Sequence, residues 1–323
     1  MKDVSDILTG LVPTLEGLDQ DRLFYRSRQK KHLMLLFIPF VALIGGSFLI
    51  EARIVGFIVA GVWLIVGAIL YQVQVASLGG RYVQNYKNAV IPALLQSIDP
   101  LLKYDSTSGI SESTFNATEL FKTNPNRYRT EDLIHGTYGK TFLQLAEVEA
   151  KERRTRTDSN GKTETYYVTI FKGLLLVADF HKDFHGRTFV LPDISEKTFG
   201  NFARFFQKMG GQSKTNLIRL EDPEFEQAFA VYSTDEVEAR YILSTAMLRR
   251  ILDLRGRFGK DVRLGFKDSS LILAVPYGNA YLEPCASRPA TDTSQVEGML
   301  GELKSFLDTI EELDLNTRIW SKE

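Results

Sequence analysis

Leu33 to Ile50 reads LMLLFIPFVALIGGSFLI, and Ile54 to Tyr71 reads IVGFIVAGVWLIVGAILY. Each run is 18 residues long and carries no charge. A helix of that length covers roughly 27 Å, close to the ~30 Å hydrocarbon core of a bilayer. A helix in a soluble core usually shows a polar face with period 3.6, and neither run has one. Gln72-Val73-Gln74-Val75 extends the second run toward the headgroup zone. Only Glu51-Ala52-Arg53 separates the runs, so helices built on them are antiparallel neighbours. Gly45, Gly46, Gly56, Gly61 and Gly67 permit close backbone approach between them. Pro39 introduces a kink that a bilayer tolerates. The runs predict a transmembrane helical hairpin over 33–75. A cleaved signal peptide fits badly, because more than thirty residues precede the first run and a second span follows at once.

Flanking cations set the expected orientation. Arg22, Arg26, Arg28, Lys30 and Lys31 precede the first span, Arg81 and Lys87 follow the second, and the short loop holds only Arg53 beside Glu51. Both termini are therefore expected in the cytoplasm. The cluster Arg26 to Lys31 is topogenic on this reading, with anionic headgroups as the alternative contact. The whole chain is near neutral, with 39 Lys and Arg against 40 Asp and Glu, so nothing in it supports nucleic-acid binding. The single cysteine, Cys285, forms no intrachain disulfide and fits a reducing compartment.

Outside the hairpin the texture is that of an α+β protein. Residues 1–32 form a cytosolic amphipathic and basic segment, with Val4, Leu8, Leu11, Leu15 and Leu18 on one helical stripe and Pro13 as its expected break or kink. Residues 76–104 read as a helical connector and 105–114 (DSTSGISEST) as a linker. Residues 115–323 read as a cytosolic, mainly antiparallel sheet domain with several helices. Thr141–Thr157 and Lys162–Phe171 are strand-like runs around Asp158-Ser159-Asn160-Gly161, a hairpin signal. Gly173 separates the second run from a buried strand, Leu174–Ala178, and Phe189-Val190-Leu191 is another strand. Ser195 is expected to cap a helix over Glu196–Met209, and Asp222-Pro223-Glu224 to start a short one. Ser233 and Glu236 form a capping box that opens a long helix to about Arg255. Val262–Phe266, Leu271–Val275 and Tyr281–Glu283 read as a second, shorter set of strands. Ser294 and Glu297 cap a last helix whose stripe Val296, Leu300, Leu303, Leu307 and Ile310 suits intramolecular packing.

Polar clusters nominate few sites. Asp179, His181, Asp183 and His185 are the metal-ligand types present in one stretch, with the two His at i and i+4. They follow an apolar strand and precede Gly186, so a turn tip is expected rather than a helical zinc frame, and no metal is assigned. Glu131, Asp132 and His135 set carboxylates beside an imidazole, but no cleft is legible around them. Lys151 to Arg156 is a basic stretch near a hairpin tip, a solvated face that offers contact to a membrane surface or an acidic partner. Asp235 to Tyr241 is charge-dense, and helix-dipole and i,i+4 pairing account for it. No catalytic residue and no cofactor motif is identified.

Five motifs carry a family resemblance: Glu131–Gly136 (EDLIHG), Ala146–Ala150 (AEVEA), Phe171–Leu174 with Ala178–Phe180, Leu220–Phe225 (LEDPEF) and Asp235–Leu243 (DEVEARYIL). In these the chain resembles the bacterial membrane-anchored family called domain of unknown function 3137. The resemblance implies an inner-membrane protein with a cytosolic domain and brings no activity, cofactor or site residue. The functional reading is a non-enzymatic binding or scaffold module whose partners are the lipid bilayer and either another protein or a second copy of itself, with no nucleic acid. The alternatives are a membrane-tethered enzyme of unknown class and an accessory subunit of a transport system. The cation asymmetry makes a topology prediction: a reporter active only outside the cell stays silent when fused after Glu323 and responds when inserted at Ala52, and the reverse pattern refutes it.

Overall fold

The structure is a computed structural model that describes residues 4–49, 53–159, 161–180, 184–192, 215–278 and 281–313. The chain divides into two compact units, Met1–Ser97 with Leu282–Gly301 and Ile98–Tyr281 with Glu302–Glu323.

The first unit is helical. It contains α1 (Val4–Leu49), α2 (Arg53–Tyr71), a short π-helical stretch Gln72–Ala76, and most of α3 (Ser77–Ile98). α1 continues through both Pro13 and Pro39, so of the break or kink expected at Pro13 the break does not occur. α1 and α2 pack antiparallel: Gln29 Nε2 donates to Tyr71 Oη at 3.2 Å, His32 Nε2 meets the Gly67 carbonyl at 2.9 Å, and Trp63 Nε1 donates to the Leu36 carbonyl at 3.1 Å. Pro39 has no N–H for the helical bond to Leu35, and the Trp63 indole arrives at the next carbonyl along. Close approach needs glycine at two of the five positions named above. A Cβ at Gly56 would strike Ser47 and one at Gly67 would strike Leu36, whereas Gly45, Gly46 and Gly61 face open space.

Leu11, Leu15 and Leu18 of the N-terminal stripe are buried, as are Tyr82, Tyr86, Val90 and Leu94, the every-fourth residues of α3. The segment after Leu282 belongs to the same unit. Asp19 accepts the Ala290 N–H at 2.7 Å and pairs with Arg22, while buried Lys87 forms an ion pair with Glu283.

The second unit is an α+β structure around an antiparallel sheet. Its described strands are β1 (Leu102–Asp105), β2 (Arg127–Tyr138), β3 (Thr141–Thr157), β4 (Thr163–Asp179), β5 (Arg187–Pro192), β6 (Asn216–Ile218), β7 (Phe229–Ser233), β8 (Arg263–Lys267) and β9 (Ser270–Pro276). They form one sheet in the order β1-β2-β3-β4-β9-β8-β5-β7-β6. The first four strands are a meander; β1 falls at the end of the stretch expected as a helical connector, and the expected strand at Phe189–Leu191 pairs with β8 and β7 instead of following β4. The β8–β9 hairpin then inserts beside β4, so the strands read as a separate shorter set complete the same sheet. Tyr281–Glu283, expected as a strand, is turn and coil.

Gly173 does not end a strand. β4 runs through it, and a Cβ there would collide with the Val275 carbonyl of β9. The glycine marks close approach of two backbones rather than punctuation. The stretch 105–114, expected as a linker, is locally structured. The Asp105 carboxylate accepts the N–H groups of Thr107 and Ser108 at 2.9 and 3.1 Å, and Ser111 caps α4 (Glu112–Ala117) by accepting from Thr114 N–H at 3.0 Å.

Asp222 caps α5 (Pro223–Ala228) with proline at its start, as read. The expected long helix after Ser233 is two helices. Asp235 caps α6 (Glu236–Ile242), the chain breaks at Leu243, and Ser244 caps α7 (Thr245–Phe258). The Ser233 hydroxyl bonds instead to the Asp235 N–H and to Thr188. α8 (Thr293–Glu312) starts with Asp292 accepting from Ser294 N–H, so that aspartate rather than Ser294 serves its first turn. All five stripe residues from Val296 to Ile310 are buried. The helix expected over 196–209 lies outside the described residues.

The sheet's core gathers Phe115, Phe121, Val148, Phe171, Leu175, Phe189 and Ile272. Past it, β3 and β4 project as a two-stranded ribbon. Pairing with β2 ends at Arg127↔Lys151 and pairing with β9 ends at Gly173↔Pro276, yet β3 and β4 pair on to Thr157↔Thr163. Ile170 is the extra residue of a bulge at the ribbon's base. A Gly173→Ala substitution is expected to destabilise the unit by about 1–3 kcal/mol through forced backbone strain. Thermal melting followed by circular dichroism checks this, and an unchanged midpoint contradicts the close approach.

Candidate functional site

Asp132 lies at an irregularity in β2, where pairing with β3 jumps from Glu131 to Ile134. Its φ is +59°, a region that Asp tolerates better than most residues. The side chain is buried, and Tyr104 Oη donates to Oδ1 at 2.5 Å. The adjoining Leu133 N–H donates to the Ser108 carbonyl at 3.1 Å. Asp132 thus fastens the 104–108 segment to β2. His135 stands further along β2, opposite Lys103 of β1 and Gln144 of β3.

Of the four metal-ligand types, Asp179 ends β4, His181 and Asp183 lie outside the described residues, and His185 precedes β5. The backbone around His185 is held by a carboxylate. Glu238 Oε1 accepts the His185 N–H at 2.9 Å and Oε2 accepts the Gly186 N–H at 2.7 Å. Thr234 Oγ1 accepts the Arg187 N–H at 2.9 Å. A Cβ at Gly186 would displace the Glu238 carboxylate from its place. Among the described residues no group of three or more His, Cys, Asp or Glu gathers as a metal cage.

These contacts divide the labour within Asp235–Tyr241. Asp235 caps α6, Glu236 pairs with Arg240 at 2.9 Å, and Glu238 clamps the loop before β5. The first two roles follow from local spacing. The third joins residues more than fifty positions apart and left no signal in either segment. Another contact without a local signal is at Glu119, which takes φ +58° after α4 and pairs with Arg187 of β5 at 3.0 Å and Lys267 of β8 at 2.8 Å.

Two open clefts of about 570 Å³ lie on this unit. One is lined by Arg129, Thr130, Glu131, Glu147, Glu149 and Lys172, among others. Arg129, Glu149 and Lys172 occupy one row across β2, β3 and β4. Hydrogen bonding from Lys151, with help from Lys172 and Arg129, holds the Glu149 carboxyl below its ordinary pKa. The other cleft is lined by residues at the starts of α5 and α7, including Asp222 and Ser244, and by Arg240 of α6. Within the basic stretch, Lys151 pairs with Glu149 at 2.8 Å and Arg154 with Glu152 at 2.9 Å. Arg153 and Arg156 are exposed. The Arg127 guanidinium lies 3.6 Å from the Tyr167 ring centroid, a cation–π contact on the ribbon. In the helical unit Cys285 is exposed, and the hydroxyl of Ser287 lowers its thiol pKa.

Residues 169–315 match the family model described as "Protein of unknown function (DUF3137)". The match covers the motifs from Phe171 onward and supports the resemblance drawn from them, while EDLIHG and AEVEA lie before it. No curated protein matches the chain. Among solved structures, the mycobacterial trehalose monomycolate transport factor A, TtfA, aligns at 9% identity and a TM-score of 0.33, covering 70% of this chain and 93% of that one.

The Glu238 clamp makes a prediction. Glu238→Gln keeps the size but replaces one acceptor oxygen by an NH2 that cannot accept a backbone N–H, so one of the two hydrogen bonds is lost and the other weakened, at an expected cost of about 1–3 kcal/mol. Hydrogen exchange at His185 and Gly186 should accelerate ahead of the rest of the sheet. Unchanged exchange at both amides removes the clamp from the account.

Proposed function

We propose that the chain is a non-enzymatic binding or scaffold module anchored by its helical hairpin at the cytosolic face of the bacterial inner membrane. The observation that carries the anchor is the exposure of the two apolar helices. Only 6% and 11% of the residues in their apolar windows are buried, whereas a core helix of a soluble protein is mostly buried. Leu35, Phe37, Ile38 and Val41 of α1 and Ile54, Phe57, Ile65 and Ile69 of α2 all turn outward. In water that surface is costly; in hydrocarbon it is matched to its surroundings.

The polar contacts within the pair suit the same solvent. Trp63 and His32 each bond to a backbone carbonyl of the other helix, which spares polar groups from facing lipid. The orientation rests on the distribution of Lys and Arg set out above.

The binding or scaffold reading is supported by how several carboxylates of the sheet unit are used. Asp132, Glu238 and Glu119 each fasten one part of the sheet unit to another. Glu236 is paired along its helix with Arg240. Each therefore has a structural employment.

Membrane fractionation tests the anchor. The full chain should stay with the membranes through alkaline carbonate washing, and a variant lacking Leu33 to Val75 should appear in the soluble fraction. Retention of the deleted variant after washing would mean that another segment is the anchor.

A further inference from the structure

The outer half of β4 has an unpaired side. Thr163–Thr169, TETYYVT, pairs with β3 on one side, while the ladder with β9 begins only at Gly173. All seven residues are exposed or half-buried. Among the described residues their backbone bonds to nothing but β3. Alternate residues of such an edge turn their N–H and C=O groups outward, where a further strand can take them.

The two edges of the ribbon are unlike. On β3 the basic residues Arg153, Arg154 and Arg156 stand along the open part, and Asn126 covers its start by accepting the Arg153 N–H at 2.8 Å and donating to the Lys151 carbonyl at 2.8 Å. Charges and covering segments are the usual defences of an open edge. The seven residues of β4 carry one charge, Glu164, and neither proline nor glycine. The other six are Thr, Tyr and Val, types suited to strands. Tyr166 and Tyr167 are among the exposed large side chains, and the Arg127 stack holds the Tyr167 ring in place.

We infer that this edge of β4 pairs with the same edge of a second copy of the chain, antiparallel about Tyr166, to make one continuous sheet across a two-fold axis. A two-fold contact must be self-complementary, and this stretch is. Centring on Tyr166 sets Tyr166 against Tyr166, Thr165 against Tyr167, Glu164 against Val168 and Thr163 against Thr169. No like charges meet, and the pairs are aromatic or β-branched types that stabilise neighbouring strands. Pairing through the β3 edges would instead crowd arginines together. A phosphate-bearing surface is a poorer occupant, because the seven residues of the edge carry only the acidic Glu164 and the turn at its end balances Asp158 with Lys162. Seven residues span about 24 Å, so the contact is smaller than a standard interface and is expected to be weak in dilute solution. Confinement of copies to one membrane would strengthen it. The inference takes self-association as the form of binding proposed above, and it does not require the anchor.

Cysteine cross-linking in membranes of cells expressing the full chain tests the pairing. In a Cys285→Ser background, Tyr166→Cys should give a covalent dimer on mild oxidation. Arg154→Cys, opposite Tyr166 on the inner ladder, should stay monomeric. With purified full chain, hydrogen exchange over Thr163–Thr169 should slow as concentration rises. Tyr166→Lys should weaken dimerisation by about tenfold or more by opposing two cations, with the melting temperature retained. The inference is overturned if Tyr166→Cys yields no dimer, if Arg154→Cys cross-links equally well, or if exchange is indifferent to concentration and to Tyr166→Lys. Protection that appears only with anionic phospholipid vesicles would assign the edge to a lipid surface and equally overturn it. Carbonate washing of the same samples reports on the anchor separately: a soluble chain that still cross-links removes the anchor and leaves the edge pairing intact.

Discussion

The ladder between β3 and β4 runs from Leu143↔Ala178 to Thr157↔Thr163, and both wings of the sheet attach to it. β2 and β1 extend one side, and β9, β8, β5, β7 and β6 extend the other. The attachment of the second wing depends on Gly173, where β9 comes so close that a Cβ would meet the Val275 carbonyl. At the bulge near Ile170 the ladder leaves its neighbours and continues as a ribbon. One strand pair is thus both the centre of a core lined by Val148, Phe171 and Leu175 and the stem of a projection into solvent. The core half is apolar on the face it buries, and the ribbon half is Thr, Tyr and Arg, so the composition changes where the pairing changes.

Carboxylates act as fasteners throughout the sheet unit. Asp132 receives Tyr104, Glu238 receives two backbone N–H groups before β5, and Glu119 receives Arg187 and Lys267. Each brings a carboxylate acceptor to donors from another part of the sheet unit. Hydrogen bonds to a charged acceptor are stronger than neutral ones, and removing the acceptor strands the donors it served. Loops that connect strands of an antiparallel sheet are held to the sheet in this way without adding to the apolar core.

The helical unit answers the same demand differently. Its apolar pair exposes large side chains outward, and His32 and Trp63 each find a carbonyl across the pair. Gly56 and Gly67 let the backbones approach at those levels, while the remaining glycines of the runs are not needed for contact. Outside the apolar runs its buried cations are paired, Arg22 with Asp19 and Lys87 with Glu283.

Sequence alone determined the features that depend on near neighbours. Two uncharged runs of helical length, the cap at Asp222, the Glu236–Arg240 pair and the strands flanking Asp158–Gly161 are all set within a few residues, and each is found as read. Helical stripes at Leu11–Leu18 and Val296–Ile310 are likewise buried, because a period of 3.6 already states which face turns inward. Tertiary structure alone decided the order of the strands, the insertion of β8 and β9 beside β4, and the meaning of Gly173, which looked like punctuation and is a crossing point of two backbones. It also decided that Asp235 and Asp292 serve the helix starts assigned to Ser233 and Ser294, since several nearby residues can cap and the packing of the chain selects among them. Antiparallel pairing joins segments up to a hundred residues apart, and the side chains that fit across such a pair carry no mark of their partner in their own stretch of chain.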